Sequence, residues 1–119
     1  MADGSLQLDG GRDQYHYWSW PASGVKAEVT LPAPGAGFRW QIDEIVFGYD
    51  TAPAAPQAMT IKLDSNPTIT MYVSGEDPKQ YTPGSPLVGQ DNGAVVITLP
   101  ADAGATGYLN VQCTKRVLN

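Results

Sequence analysis

Disulfide bonds and most kinds of catalytic centre are excluded by what this chain lacks. It has a single cysteine, Cys113, so no intrachain disulfide can form. Its single histidine, His16, is accompanied by no GxSxG motif or comparable nucleophile signature. One His and one Cys are also too few for a zinc site. The sequence therefore predicts no catalytic, cofactor-binding or metal-binding residue.

Long apolar runs and basic tracts are also missing. No stretch approaches the ~20 apolar residues that span a bilayer. The seven basic residues are scattered and the net charge is −5, so DNA and anionic membranes would repel the surface. The opening MADGSLQLDGGRDQ has no apolar core of the kind found in secretory signals. We expect no nucleic-acid or membrane partner, and synthesis in a bacterial cytoplasm.

Twelve acidic residues leave two other kinds of site to consider. A glycosidase needs two carboxylates that face one bond, but Asp43 and Glu44 are adjacent on a strand and are expected on opposite faces. Acidic loops could also hold a calcium ion, but the DxDxDG spacing that is typical of a calcium-binding loop is absent. We expect the loop carboxylates to be solvated, and the sequence does not predict an enzyme.

What the chain does have is a series of short segments in which apolar and polar residues alternate with period two. Gly, Pro, Asn and Asp bound these segments, and Gly and Pro together make up roughly a fifth of the chain. The clearest segments are 25–31, 38–49, 59–63, 69–73, 94–99 and 108–117. Further short strands are expected near Tyr81 and Leu87. No helical periodicity persists, so the pattern predicts an all-β fold.

The number and spacing of these segments predict a single-domain antiparallel β-sandwich over residues 14–119. About eight strands with long connections favour a jelly-roll-like sandwich over a simple meander. In segment 38–49 the apolar phase slips by one residue, which predicts a β-bulge at Asp43 and Glu44. Val25 is expected to point inward, and segment 94–99 to be buried on both faces. Cys113 is in phase with apolar neighbours and is expected in the core.

Residues 1–13 are predicted to form a flexible N-terminal arm, because after Met1 and Ala2 only Leu6 and Leu8 are apolar among glycines and polar or charged residues. The alternative is a segment that becomes ordered against a neighbouring subunit, with these two leucines as its anchors.

Aromatic residues are more numerous than the core of a small sandwich needs. Residues 15–20 (YHYWSW) are the most aromatic strand, with Tyr15 and Tyr17 on one face and His16, Trp18 and Trp20 on the other. Outward-facing Trp and Tyr residues serve either subunit interfaces or stacking on sugar rings, and both uses remain open. The predicted interface residues are Leu6, Leu8, Tyr15, Tyr17, Trp18, Trp20 and Trp40.

Nearly the whole chain, residues 15–117, resembles a group of small virion proteins of tailed bacteriophages. The segments that carry the resemblance are the aromatic opening 17–20 (YWSW), then LPAPGAGFRWQIDEIVFGYDTAP, the hairpin MTIKLDSNPTITMYV, the loop that leads to Pro86 and Leu87, and the closing GAVVITLPADAGATGYLNVQ. Proteins of this group are jelly-roll subunits, usually trimeric, that decorate or cement the capsid or form head-fibre bases.

This resemblance implies a non-enzymatic structural protein that docks on the exterior of a virion and stabilises the head surface. The implied assembly is a homotrimer around a threefold axis, and the implied partners are the major capsid protein or other virion subunits. The competing hypothesis is a β-sandwich module that binds a carbohydrate or receptor. Such a module would place two or three aromatic rings on one exposed face beside amides and carboxylates, whereas a cement protein would bury them against other subunits.

Overall fold

The computed structural model describes residues 3–7, 14–22, 24–63, 69–74, 78–82, 87–102 and 104–117. Within these residues the secondary structure consists of ten β-strands. No helix with the length and hydropathy needed to cross a bilayer occurs in the described ranges. The strands are β1 (Asp3–Gln7), β2 (Gln14–Ser19), β3 (Ala27–Leu31), β4 (Phe38–Tyr49), β5 (Gln57–Leu63), β6 (Ile69–Val73), β7 (Lys79–Tyr81), β8 (Leu87–Val88), β9 (Val95–Leu99) and β10 (Gly107–Val117).

The strands form two antiparallel sheets that pack face to face. Sheet A has the order β1-β2-β10-β4-β7, with β8 paired to the other end of β4, and sheet B has the order β3-β9-β5-β6. Successive strands alternate between the sheets from β2 to β5 and again from β9 to β10, which is the jelly-roll arrangement. The predicted fold class is confirmed. The short strands expected near Tyr81 and Leu87 are β7 and β8, and β1 had not been expected as a strand.

A β-bulge in β4 allows both halves of this long strand to contribute to the core. Ile42 pairs with Cys113 and Glu44 pairs with Gln112, so Asp43 is the extra residue. Ile42 and Ile45 are both buried as a result, as the slipped apolar phase predicted. The expectation that Asp43 and Glu44 face opposite sides is wrong, because the bulge turns both carboxylates to the outer face of sheet A, where each accepts a side-chain hydrogen bond.

Two burial expectations also need correction. Val25 is 48% exposed rather than inward, because a turn closed by the hydrogen bond from Val25 N to Ala22 O delays the start of β3 to Ala27. In β9, Val96 and Thr98 are half-buried while their neighbours are buried, since the outer face of sheet B is open to solvent. Cys113 lies in the core, as expected.

The N-terminal segment differs from the flexible arm that its composition predicted. Residues 3–7 form β1, which pairs with β2 along its whole length, so that Leu6 is opposite His16. Backbone hydrogen bonds at a sheet edge do not require apolar side chains, which explains why the composition gave no sign of a strand. Leu8 and the rest of 8–13 lie outside the described residues.

Candidate ligand-binding face

The aromatic side chains separate into a core set and a surface set. Trp40 is only 3% exposed, and Tyr15 and Tyr17 pack edge-on against its indole with ring centroids 5.5 and 6.1 Å away. The Trp40 indole Nε1 donates a hydrogen bond of 2.7 Å to Pro32 O. Trp40 was expected at an interface, but the structure places it in the core, where it is not accessible to a partner. Tyr15 and Tyr17 are half-buried and pack on that same core.

The surface set lies on the outer face of sheet A, which is the side turned away from sheet B. Strand register places Trp18, Asn110, Val46 and Gln80 in one row across β2, β10, β4 and β7. His16, Gln112 and Glu44 form the next row. This face therefore combines aromatic rings with amides and carboxylates.

Trp18 is held against the sheet by the absence of a side chain at Gly4. The two residues are register partners in β2 and β1. A Cβ added at Gly4 would lie 2.6 Å from Trp18 Cε2, so the indole occupies the space that a larger residue would fill. The imidazole of His16 packs beside the indole, with ring centroids 5.5 Å apart. An indole that lies across the neighbouring strand in this way presents a ring face to solvent.

Tyr108 is held in the same way over Gly48. These residues are register partners in β10 and β4, and a Cβ added at Gly48 would lie 2.9 Å from Tyr108 Oη and 3.2 Å from Cζ. Burial raises the pKa of Tyr108 above its ordinary value, so its hydroxyl stays protonated and can donate a hydrogen bond. Two aromatic rings thus lie against the sheet, each over a glycine of the adjacent strand.

Asn110 lies between these rings and is oriented by His16. The His16 Nε2–H donates to Asn110 Oδ1 over 3.3 Å, because an amide oxygen can only accept. That bond leaves the Asn110 amide nitrogen directed to no acceptor within the described residues. Asn110 is therefore a positioned donor between Trp18 and Tyr108.

The carboxylates of the face are held by neighbouring side chains. Glu44 Oε2 accepts a short hydrogen bond from Gln80 Nε2. Asp43 accepts hydrogen bonds of 2.7 Å from both Gln41 Nε2 and Thr114 Oγ1. These groups are pre-oriented acceptors, and no group of three or more His, Cys, Asp or Glu residues among the described ranges is arranged to hold a metal ion.

A cleft of about 350 Å³ opens at one end of the face. Three aromatic side chains, those of Trp18, Trp20 and Tyr108, line it together with Asp50 and Asn110. Trp20 is 56% exposed there. Asp50 Oδ1 accepts a 2.7 Å hydrogen bond from Thr106 N, which fixes the carboxylate and leaves its second oxygen available at the cleft. A cleft with mostly aromatic walls and a few fixed polar atoms is typical of small-ligand sites.

A larger hollow of about 430 Å³ lies beside it, between β1, β2 and the start of β3. Its walls include Tyr17, Val25 and Thr30, together with the exposed ion pair between Lys26 and Glu28. Its aromatic walls are Tyr17, which packs against Trp40 of the core, and Trp18, which also lines the cleft. We therefore place the candidate site at the Trp18–Tyr108 cleft and along the adjoining outer face of sheet A.

Of the seven residues proposed from the sequence, Trp18 and Trp20 lie at this cleft. Leu6 contributes backbone pairing to β1, and Leu8 is outside the described residues. Tyr108, Asn110 and Asp50 were not among the site residues predicted from the sequence. The signal that could have found Tyr108 is its register with Gly48, which requires the strand pairing to be known.

Comparisons with known proteins give distant likenesses only. No family model and no curated protein matches the sequence. Among solved structures, TmCBM61 in complex with β-1,4-galactotriose aligns at a TM-score of 0.36 and 12% identity, over 87% of this chain and 70% of that one. The mannan-binding module from Man5C aligns at 0.33 and 14% identity, over 95% and 87% of the two chains. A CBM4 structure aligns at 0.32 and 10%, over 94% and 93%. At these scores the likenesses carry no argument about function.

Proposed function

We propose that this chain is a non-catalytic carbohydrate-binding β-sandwich module that binds a glycan on the outer face of sheet A. The observation that carries the proposal is the pair of rings, Trp18 and Tyr108, held over Gly4 and Gly48 on either side of Asn110.

Sugars suit this arrangement because a pyranose ring has an apolar C–H face and a rim of hydroxyl groups. The flat faces of Trp and Tyr offer apolar contact to the ring, and they need little ordering because the glycines already hold them in place. The Asn110 amide and the Asp50 and Glu44 carboxylates supply donors and acceptors for the hydroxyls.

The proposal is tested by screening the purified protein on a glycan array and measuring the affinity of the strongest ligands by calorimetry. We expect Trp18→Ala and Asn110→Ala to weaken binding at least tenfold. Tyr72→Ala is the matched control, because Tyr72 is 69% exposed, the highest value among the large apolar side chains that the structure describes, and lies on the outer face of sheet B. Absence of binding to any glycan, or a loss caused by Tyr72→Ala and not by Trp18→Ala, would overturn the proposal.

The non-catalytic part of the proposal has a separate test, since the bulge places Asp43 and Glu44 on the same face. Both carboxylates are engaged by side-chain donors, which suits fixed hydrogen-bond acceptors. We expect a bound oligosaccharide to be recovered intact by chromatography after prolonged incubation. Release of shorter products that stops in Glu44→Gln would show a hydrolase instead.

The virion role implied by the sequence resemblance stays a prediction. The connection between β2 and β3 exposes Trp20 and Val25, and subunit contacts would use such apolar side chains. Light scattering across a range of concentrations tests this role. A stable trimer of the 12.7 kDa chain that dissociates in Val25→Asp would support it, and a monomer at every concentration would count against it.

A further inference from the structure

The outer face of sheet A ends in two arginines that are placed directly opposite each other. Arg39 of β4 and Arg116 of β10 are register partners. Both arginines lie on the outer face, because the adjacent register pair, Trp40 and Lys115, lies on the inner face, where Trp40 is buried. Directly opposed residues on one sheet face have Cβ atoms roughly 5 Å apart, and like charges so placed are destabilising.

Neither guanidinium has a compensating anion in the described part of the chain. The ion pair found there joins Lys26 and Glu28, on the other sheet. Arg39 Nε is buried and has no hydrogen-bond acceptor among the residues that the structure describes. A buried donor without a partner costs stability, and the two Nη groups at the end of an arginine side chain can bind a carboxylate or sulfate through two parallel bonds.

The backbone that carries Arg39 is fixed by the loop beside it. Asn92 N donates to Phe38 O over 2.7 Å, and Gly37 N donates to Asp91 Oδ1 over 2.9 Å. Hydrogen bonds from the neighbouring loop therefore fix the backbone at the end of β4 that carries Arg39. The chain as a whole carries a net charge of −5, so an anion drawn to this end is drawn by the local pair and not by the overall field.

We propose that Arg39 and Arg116 bind an anionic substituent, a carboxylate or a sulfate, of the glycan that occupies the Trp18–Tyr108 cleft. This inference rests on the proposed function and specifies its ligand as an acidic glycan. Arg116 lies six positions after Asn110 in β10, which corresponds to roughly 20 Å along the strand, so the ligand is an oligosaccharide.

The acidic residues between the two ends restrict where the ligand carries its charge. Asp43 and Glu44 lie on the same face between the cleft and the arginines, and they would repel a polymer that is charged at every unit. The expected ligand is therefore neutral over the cleft and acidic at the end that reaches Arg39 and Arg116.

The experiment compares one neutral oligosaccharide that binds on the array with two derivatives of it, one with a terminal sialic acid and one with a terminal sulfate. Affinities are measured by calorimetry for the native protein, Arg39→Gln, Arg116→Gln and Arg39→Lys. Lys62→Gln is the matched control, because it removes one exposed positive charge from sheet B. Thermal unfolding of each variant confirms that it is folded.

We expect at least one acidic derivative to bind tenfold or more tightly than the neutral parent, and this advantage to shrink with added salt. Both Gln variants should lose the advantage and keep their affinity for the neutral sugar. Arg39→Lys should retain part of the advantage, and Lys62→Gln all of it. Equal affinity for neutral and acidic forms, or an advantage that survives in both Gln variants, would overturn the inference while leaving the proposed function intact. Failure of every glycan to bind would overturn both.

Discussion

Tyr108 lies over Gly48, its register partner on the adjacent strand, so closely that an added Cβ would come within 2.9 Å of the tyrosine hydroxyl. An aromatic ring placed across a glycine covers backbone that would otherwise face water and loses freedom to rotate away. Trp18 and Gly4 repeat this relationship at the other side of Asn110. Two glycines, Gly4 and Gly48, thus shape the proposed binding face, because the aromatic rings occupy the space above them.

The Gly48–Tyr108 relationship predicts that Gly48→Ala weakens glycan binding without unfolding the protein. The new methyl group would push against the end of a flexible tyrosine side chain and lift the ring from the sheet. We expect an affinity loss of severalfold by calorimetry and a change of less than about 1 kcal/mol in the free energy of unfolding.

Gly107→Ala is the control for that substitution, because its Cβ would meet core atoms instead. It would lie 3.0 Å from Leu99 Cδ2 and 3.3 Å from Tyr49 Cε1. We expect a loss of about 1–3 kcal/mol in the free energy of unfolding from overpacking, and unchanged affinity in the folded protein. Reversed effects of the two alanines would contradict the placement of Tyr108.

Trp40 and Trp20 should respond differently to removal, although both were proposed from the sequence for the same role. Trp40→Ala removes a buried indole, two edge-on aromatic contacts and the hydrogen bond to Pro32 O. We therefore expect the free energy of unfolding to fall by about 3–5 kcal/mol. Trp20→Ala alters a side chain that is 56% exposed, and the loss should stay below about 1 kcal/mol. Urea unfolding measures both, and equal losses would show that the assignment of Trp40 to the core is wrong.

Cys113 should make the protein less stable in alkali. Burial, and then the nearby Asp43 carboxylate, raise the pKa of this thiol from 9.0 to about 12. The unfolded chain therefore loses the thiol proton near pH 9 while the folded chain retains it. The contribution of the protonated Cys113 thiol to the free energy of unfolding is therefore complete below pH 9 and is lost as the pH rises toward 12.

The matching measurement is the free energy of unfolding of the native protein and of Cys113→Ala between pH 8 and 11. Above pH 9 the native protein should lose up to about 1.4 kcal/mol per pH unit more than the variant. The pKa of Tyr49 is also raised, to about 12, so the variant keeps a shallower alkaline decline of its own. Parallel curves for the two proteins would contradict the assignment to Cys113.

Asp102 should contribute strongly to the free energy of unfolding, because it holds together the loops around residues 54–57 and 102–104. Its carboxylate is 5% exposed and accepts hydrogen bonds from Ala54 N, Gln57 Nε2 and Gly104 N. Asp102→Ala leaves these donors unpaired, so we expect a loss of at least about 2 kcal/mol in the free energy of unfolding. Lys26→Ala breaks the solvent-exposed ion pair to Glu28 and should cost less than about 1 kcal/mol by the same measurement.

The core strands could be predicted from the sequence because apolar residues occupy every second position along them, on the side that faces the core. In β4 this extended to the bulge, since Ile42 and Ile45 can both be buried only if the register slips between them. The same bulge then decided the direction of Asp43, which the simple alternation rule predicted incorrectly. β1 was missed because an edge strand is held by backbone hydrogen bonds, and its side chains show no pattern.

The candidate site was less accessible to sequence reasoning. Trp18 and Trp40 are the same residue type, each in a strand that alternates apolar and polar residues, and only the pairing of strands reveals that one lies over Gly4 and the other in the core. The Arg39–Arg116 pair joins residues that are far apart in the sequence. Contacts of this kind depend on register between distant strands, which a single sequence does not specify.

The most direct test of the proposed binding face is a two-dimensional amide NMR titration of the labelled protein with the strongest array ligand. We expect shifts of the side-chain amides of Asn110 and Gln80 and of the Trp18 indole N–H, all on the outer face of sheet A. Signals from Tyr72 and Thr98, on the outer face of sheet B, should stay in place. Shifts confined to sheet B, or none at all at saturating ligand, would contradict the account.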